Sequence, residues 1–136
     1  MSFSGTFIYE RSEGLEQLVA KIGGPGAVEN FKIFHRTRPH VRATRSGDSF
    51  TYTFYMCDDN IINTFKIGEE FKETTYFKDV AQSVVTISGD NIMYVVSKLE
   101  NGNSFNREII FSPEGSIIHF TESKYGTKAT SWYRRI

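Results

Sequence analysis

Two spacings of apolar residues divide the chain, a helical one near the N-terminus and an alternating one in the remainder. A short strand is predicted at 5–10. Behind it lie apolar residues at the spacing of one helical face, namely Leu15, Leu18, Val19 and Ile22. Ser12 is the expected N-cap, and the glycines and proline of 23–26 end this helix. A second helix is predicted over 27–35, before Pro39.

From residue 41 onward apolar residues alternate with polar ones, which is the pattern of strands with one buried face. Turn-forming residues interrupt this pattern about every eight to twelve positions, as expected for antiparallel strands joined by hairpins. The interruptions lie at 46–48, 58–60, 68, 89–91, 101–103, 113–115 and 126. About ten strands result. So many short strands with two helices must close into a barrel or pack as a sandwich to hide their edges.

Alternation within two strands assigns individual side chains to the inward face. In 50–56 the even positions are bulky and the odd ones mostly polar, so the inward residues are Phe50, Tyr52, Phe54 and Met56. In 105–111 the same rule places Arg107 on one face with Phe105, Ile109 and Phe111. An arginine therefore lies on the apolar side of a predicted strand.

A buried guanidinium cannot shed its charge and needs an anionic partner. One candidate partner for Arg107 is Glu122, which shares a strand face with Ile118 and Phe120. The other is the carboxylate of a bound ligand, held by the planar fork of guanidinium donors. A third interpretation leaves Arg107 at a shifted register, where it reaches solvent.

Composition narrows the class of protein. Sixteen basic residues balance sixteen acidic ones among 136, so the whole chain offers no field that attracts nucleic acid. This length fits one domain, which we expect to span 1–136. Cys57 is the only cysteine, and neither a secretory signal nor a membrane-spanning run is readable. A cytoplasmic protein is the simplest inference.

The sequence offers no recognisable catalytic or cofactor site. The histidines lack neighbouring ligands at metal-binding spacing, being scattered at His35, His40 and His119. Nucleophile motifs and phosphate-binding glycine loops are missing, and the glycines of 23–26 follow a helix rather than a strand. We therefore expect no enzyme, no metal and no cofactor.

Several short motifs carry a family resemblance. The chain opens with F-x-G-T-F at 3–7, continues with S-E-G-L at 12–15 and has S-G-D at 46–48. The most specific motif is F-K-I-G-E-E-F-K-E at 65–73, and W-Y-R-R at 132–135 ends the series. Together these motifs resemble the intracellular lipid-binding family over nearly the whole chain. That family includes the fatty-acid-binding and the cellular retinoid-binding proteins.

This resemblance implies a mainly β fold: a ten-stranded, up-and-down antiparallel β-barrel, slightly open, with a helix-turn-helix lid over an interior cavity. A lipid tail would lie along a lining expected to consist of Phe50, Phe54, Met56, Phe77, Ile109, Phe120 and Glu122. Ligand access would part a portal made of Leu15, Leu18, Phe31, Phe34, Asp58 and Tyr76. Asp58 stands where family members often carry phenylalanine, so a more acidic entrance is expected.

The resemblance also implies a clamp for the head group of a ligand. In the family an arginine and a tyrosine, spaced R-x-Y on the last strand, bind a carboxylate together with an arginine two strands earlier. Tyr133 matches the tyrosine, whereas Ser131 stands at the other arginine position. Arg107 is the best match to the earlier arginine; because the segment up to Gly115 is two residues longer than in typical members, Ile109 takes that position if the insertion lies elsewhere, and Arg107 still faces inward. The clamp is therefore atypical, and Tyr52 is a further candidate for head-group contact.

The function implied is a carrier that reversibly binds one long-chain fatty acid or a similar amphipathic lipid. An alternative is a carrier of a retinoid or another bulky hydrophobe, with Glu122 occupying Arg107. A third is a lipid-delivery module, because five basic residues and one acidic residue give 20–42 a net charge of +4. Such a basic lid would dock transiently on anionic membrane surfaces or on partner proteins. We expect a monomer.

Overall fold

The alternating segments form ten antiparallel strands of one sheet in the computed structural model, which describes residues 3–57 and 59–136. The strands are β1 Gly5–Glu13, β2 His40–Ser46, β3 Ser49–Tyr55, β4 Asn60–Lys66, β5 Phe71–Thr74, β6 Val80–Ser88, β7 Ile92–Leu99, β8 Ser104–Phe111, β9 Gly115–Glu122 and β10 Lys128–Arg135. Two helices of the described chain, α1 Leu15–Ile22 and α2 Ala27–Thr37, join β1 to β2. Asp58, predicted at the portal, lies outside the described residues.

The strands follow chain order around the sheet, and the first strand meets the last. β1 lies between β2 and β10, so the sheet runs from β4 back to β1, across to β10 and on to β5. Each pairing is antiparallel. This order curls the sheet into a nearly closed barrel, which confirms the predicted barrel over the sandwich.

The barrel is open between β4 and β5, the two edge strands of the described sheet. The side-chain amide of Asn63 bridges this gap. Its Nδ2 donates to the carbonyl oxygen of Thr74, and its Oδ1 accepts from the Thr74 N–H, each at 2.9 Å. Phe65 of β4 also stacks on Phe71 of β5, with ring centroids 5.0 Å apart. Side chains therefore take the place of backbone pairing at this seam.

The two helices pack on the barrel through their apolar faces. All four residues of the predicted α1 face are buried, and so are Phe31 and Phe34 of α2. The ring of Phe34 stacks on Tyr76, with centroids 4.0 Å apart, and meets Phe54 edge-on at 5.7 Å. Aromatic contacts thus fix the helical lid to the barrel mouth.

The predicted N-cap of α1 is wrong. β1 continues to Glu13 instead of ending at residue 10, because Ser12 pairs with Ser131 of β10 beyond a β-bulge. Gly14, at a left-handed φ of 74°, makes the turn into the helix. This conformation carries no steric cost for glycine, and the Ser12 hydroxyl is free to bind elsewhere.

Gly115→Ala tests how closely β9 and β10 approach each other. A Cβ at residue 115 would overlap the carbonyl oxygen of Tyr133 on the neighbouring strand, and backbone yields less readily than a side chain. We expect the free energy of unfolding, measured by urea denaturation, to fall by about 2 kcal/mol or more. Gly47→Ala is the control, because a Cβ there meets open space and only the left-handed φ of 64° opposes it. The control should lose about 1 kcal/mol, and equal losses would contradict the close approach.

Candidate functional site

A cavity lies within the barrel. The cavity volume is about 130 Å³, which is more than enough to hold a water molecule. Its walls are chiefly aromatic and aliphatic, and nine of the predicted site residues line it: Phe50, Tyr52, Phe54, Tyr76, Phe77, Arg107, Ile109, Phe120 and Tyr133. An apolar interior with a few polar groups is the usual form of a small-molecule site.

Two charged side chains, Glu73 of β5 and Arg107 of β8, meet on the cavity wall. Arg107 Nη1 donates to Glu73 Oε2 at 2.9 Å, and Nη2 donates to Oε1 at 2.6 Å. The Glu73 side chain is 2 % exposed and the Arg107 side chain 13 %. The geometry is that of a buried bidentate ion pair, which is the strong form of a guanidinium–carboxylate contact.

Hydroxyl groups complete this polar cluster. Ser83 Oγ donates to Glu73 Oε1 at 2.7 Å, and Tyr52 donates its phenolic hydrogen to Glu73 Oε2. Ser97 Oγ accepts from Arg107 Nη2 at 2.8 Å and bonds to Ser83 Oγ at 2.7 Å. These side chains come from β3, β5, β6, β7 and β8, so the cluster joins much of the barrel circumference.

Both members of the pair are ionised at neutral pH. Burial raises the pKa of the Glu73 carboxyl, but the Arg107 guanidinium and the hydrogen bonds from Tyr52 and Ser83 outweigh burial and hold that pKa below its ordinary value. Burial lowers the pKa of Arg107, and the adjacent Glu73 carboxylate raises it above its ordinary value. One carboxylate and one guanidinium therefore balance inside the barrel.

Two buried polar atoms on the wall have no hydrogen-bond partner within the described chain, the Tyr76 hydroxyl and Arg107 Nε. Both residues line the cavity. Burial is the main cause that raises the pKa of the Tyr76 phenol, so this group stays neutral and able to donate. A buried donor without a partner is costly, and a polar ligand atom would satisfy it.

Comparison with known proteins identifies the family. No family model matches the sequence. The cellular retinoic acid-binding protein 2 of Homo sapiens is 30% identical over 125 residues, which cover 86% of this chain and 86% of the relative. The chain belongs to the intracellular lipid-binding protein family.

One further relative and two solved structures are similar over nearly the whole chain. A fatty acid-binding protein of Tyrophagus putrescentiae is 27% identical over 135 residues, covering 99% of this chain and 98% of its own. The solved REP1-NXSQ fatty acid transporter superposes with a TM-score of 0.80 at 19% identity, over 98% of this chain and 95% of that one. The Schistosoma mansoni fatty acid-binding protein in complex with arachidonic acid gives 0.77 at 21% identity, over 99% and 96%. At these identities the structural likeness shows the fold.

Glu73 is the charged site residue that sequence reasoning missed, and the cluster serines Ser83 and Ser97 were missed with it. Glu73 ends the family motif at 65–73, and Phe71, two residues before it, also lines the cavity. Alternation places residues two apart on the same face, so an inward Phe71 would have placed Glu73 inward too. β5 has only four residues, however, and a run this short does not reveal its alternation.

Glu122 does not pair with Arg107 and is not among the residues that line the cavity in the described chain. Its carboxylate accepts hydrogen bonds from the backbone N–H groups of Lys124 at 2.9 Å, Tyr125 at 2.9 Å and Thr127 at 2.8 Å. Burial raises the pKa of this carboxyl, and the backbone hydrogen bonds outweigh burial and lower it. Glu122 lies at the end of β9, where the inward face meets the β9–β10 turn. Its carboxylate therefore binds the backbone of the turn and does not bind Arg107.

The last strand contributes Tyr133 to the cavity wall, but Ser131 is not among the lining residues of the described chain. The Ser131 hydroxyl bonds to that of Ser12 at 2.8 Å, and Ser12 bonds to the Tyr9 hydroxyl at 2.6 Å. Tyr9 in turn bonds to His35 Nδ1 at 2.8 Å. These hydrogen bonds connect β10 and β1 to α2. At the predicted arginine position, then, a small hydroxyl side chain helps to anchor the lid.

The remaining predicted residues lie around the barrel mouth. Met56 follows β3 and packs against the core without lining the cavity. The helix residues of the predicted portal are buried and also absent from the described lining: Leu15, Leu18, Phe31 and Phe34. Tyr76 both lines the cavity and stacks on Phe34, so lid and cavity meet at this ring. The role of these residues in ligand access stays a prediction.

Two further features bear on the kind of site. The described residues contain no group of three or more histidine, cysteine, aspartate or glutamate side chains placed to hold a metal ion. Of the helices in the described chain, none combines the length and the apolar character needed to cross a membrane.

Arg107→Gln should lower the free energy of unfolding by about 3 to 5 kcal/mol, because it leaves the Glu73 carboxylate buried without its partner. Adding Glu73→Gln in the same chain should recover a large part of this loss, since no unpaired charge remains. Urea denaturation of the parent, both single variants and the double variant gives the coupling energy of the pair. A coupling energy near zero would show that the two side chains do not interact.

Proposed function

We propose that this chain is a carrier that reversibly binds one long-chain fatty acid or a similar amphipathic lipid, with residues 1–136 acting as a single lipid-binding domain. The observation that carries the proposal is an apolar cavity with a small polar cluster on its wall, in a chain of the intracellular lipid-binding family. Relatives are named as retinoic acid-binding and fatty acid-binding proteins. Those names describe binding, which supports carriage rather than catalysis.

Burial of the lipid tail supplies the binding free energy. Each buried methylene contributes about 0.8 kcal/mol, so a tail of about fourteen would contribute up to about 11 kcal/mol before the costs of ordering and desolvation. The tail would lie against the aromatic wall of Phe50, Phe54 and Phe77. The polar groups of Tyr52, Arg107 and Tyr133 would orient the head group, because polar atoms are scarce elsewhere on the lining.

A retinoid or another bulky hydrophobe is a second candidate ligand. The observation that favours it is the 30% identity to a cellular retinoic acid-binding protein over 86% of the chain. With Glu73 as the internal partner of Arg107, such a ligand needs no carboxylate of its own to balance the guanidinium.

Ile118→Trp should abolish or weaken ligand binding by tenfold or more, because Ile118 lines the cavity and a larger side chain there takes the space of the tail. Ile117→Trp is the matched control, since Ile117, the neighbour of Ile118 on β9, is 36% exposed and points outward. Titration of the delipidated proteins with a fluorescent fatty acid measures the affinity, and circular dichroism checks the fold. Saturable binding by neither the parent nor the control would contradict the carrier function.

Contact with anionic membrane surfaces is proposed for the outer face of α2. Lys32, Ile33 and Arg36 are exposed on this face, which combines positive charge with an apolar side chain as interfacial helices do. Lys32 lies 3.7 Å from Glu29 Oε1 at the surface, and two other basic residues of the lid bind within the protein. Lys21 donates to the Thr127 hydroxyl at 2.8 Å, and Arg38 donates to a backbone carbonyl oxygen of β1.

Lys32→Glu combined with Arg36→Glu should slow ligand transfer to anionic vesicles severalfold and leave transfer to neutral vesicles unchanged, because each positive charge adds about 1 kcal/mol near an anionic surface. A fluorescence assay of lipid transfer measures both rates. Lys66→Glu combined with Lys72→Glu makes the same charge change at exposed positions on β4 and β5. Equal slowing by the two double variants would contradict docking through α2.

The carrier is further proposed to act as a monomer in the cytoplasm. The described residues of a single chain line the cavity, so binding a ligand requires no second copy. Cys57 is an exposed free thiol, which suits a reducing compartment.

A further inference from the structure

The charges on the cavity wall cancel. Among the lining residues of the described chain, Glu73 and Arg107 are those that carry charge at neutral pH, one of each sign. The other titratable groups on the wall are Tyr52, Tyr76 and Tyr133, and burial is the main cause that raises the pKa of each phenol. The wall as a whole is therefore uncharged.

Each ion of the pair is already neutralised by the other. Both Nη atoms of Arg107 bind the Glu73 carboxylate, and each carboxylate oxygen accepts a further hydrogen bond, from Tyr52 or from Ser83. A ligand carboxylate would have to displace Glu73 or add a net negative charge to a low-dielectric interior, where unpaired charge is strongly disfavoured. Protonation of either carboxyl group removes that excess charge.

Donors on the same wall still lack an acceptor. Within the described chain, Arg107 Nε and the Tyr76 hydroxyl are buried without a partner, and Tyr76 is 7% exposed. Arg107 Nε can only donate, and a phenol can donate as well as accept. The oxygen of an alcohol, aldehyde, amide or ester accepts such hydrogen bonds without bringing a charge into the barrel.

We propose that the ligand of this carrier has an uncharged, hydrogen-bond-accepting head group, and that a fatty acid binds only together with one proton. This inference rests on the proposed function and narrows its ligand class. The balanced pair excludes a free carboxylate, the unpartnered donors bind a neutral oxygen, and the aromatic wall holds the tail.

Three ligands of one chain length test this inference on the unmodified protein: oleyl alcohol, methyl oleate and oleate. Displacement of Nile red, an uncharged fluorescent dye, measures their affinities from pH 6 to pH 9. At pH 8 the alcohol should bind at least tenfold more tightly than oleate. Oleate affinity should rise roughly tenfold for each pH unit lowered toward the pKa of the free acid, as uptake of one proton requires. The affinity of the alcohol should stay constant.

Calorimetry measures the proton directly. Titrations at pH 8 in buffers of different ionisation enthalpy should give an uptake close to one proton for each oleate bound and none for each alcohol. Tighter binding of oleate than of the alcohol, without proton uptake, would overturn the inference and leave the carrier function standing. Failure of all three lipids to displace the dye would instead overturn the proposed function.

Glu73→Gln reverses the expected preference. The variant leaves Arg107 as an unpaired positive charge on the wall, so oleate should bind at least tenfold more tightly than to the parent at pH 8, without proton uptake. Combining Glu73→Gln with Arg107→Gln restores a neutral wall and should return oleate to weak, proton-coupled binding. Glu70→Gln makes the same charge change at an exposed position and should behave as the parent. If Glu73→Gln fails to fold, proton uptake by the unmodified protein still tests whether a fatty acid binds together with one proton.

Discussion

The pairing of Glu73 with Arg107 is the constraint around which the barrel interior is organised. A carboxylate and a guanidinium lose their hydration when they are buried, and their attraction offsets that loss only when their remaining donors and acceptors are also bound. Tyr52, Ser83 and Ser97 satisfy most of these groups. Because the five side chains come from five strands, one cluster fixes the relative register of β3 and of β5 to β8. The rest of the wall can then be apolar.

Much of the fold could be predicted from the sequence, because each strand has one buried face and each hairpin has its own turn residues. The prediction failed where β1 passes into α1. Ser12 is a good N-cap residue in its local context, but β1 pairs with β10, from the far end of the chain, and this pairing continues to Glu13. Local patterns do not report a contact between segments more than a hundred residues apart.

The sequence predicts a site residue where a side chain is unusual for its strand face, as the charged Arg107 is on an apolar face. It does not predict the partner of Arg107, because alternation gives the face of a side chain but not its height along the barrel. Glu122 has the right face, yet it lies opposite Phe105, whereas Arg107 lies opposite Phe120. Glu122 is therefore one inward position away from Arg107 along the barrel, and it lies at the level of the β9–β10 turn. Glu73 points inward and lies at the same height along the barrel as Arg107, but its strand is too short to show alternation.

The bridge that Asn63 makes between β4 and β5 has a consequence for the circumference of the barrel. The amide both donates to and accepts from Thr74, so it imitates the peptide group of a missing neighbour strand. Rotation of this one side chain would release both hydrogen bonds while every backbone pairing of the described strands keeps its register. The girth of the barrel at this seam is therefore set by side-chain contacts, the Asn63 bridge and the stacked rings of Phe65 and Phe71, and not by backbone pairing.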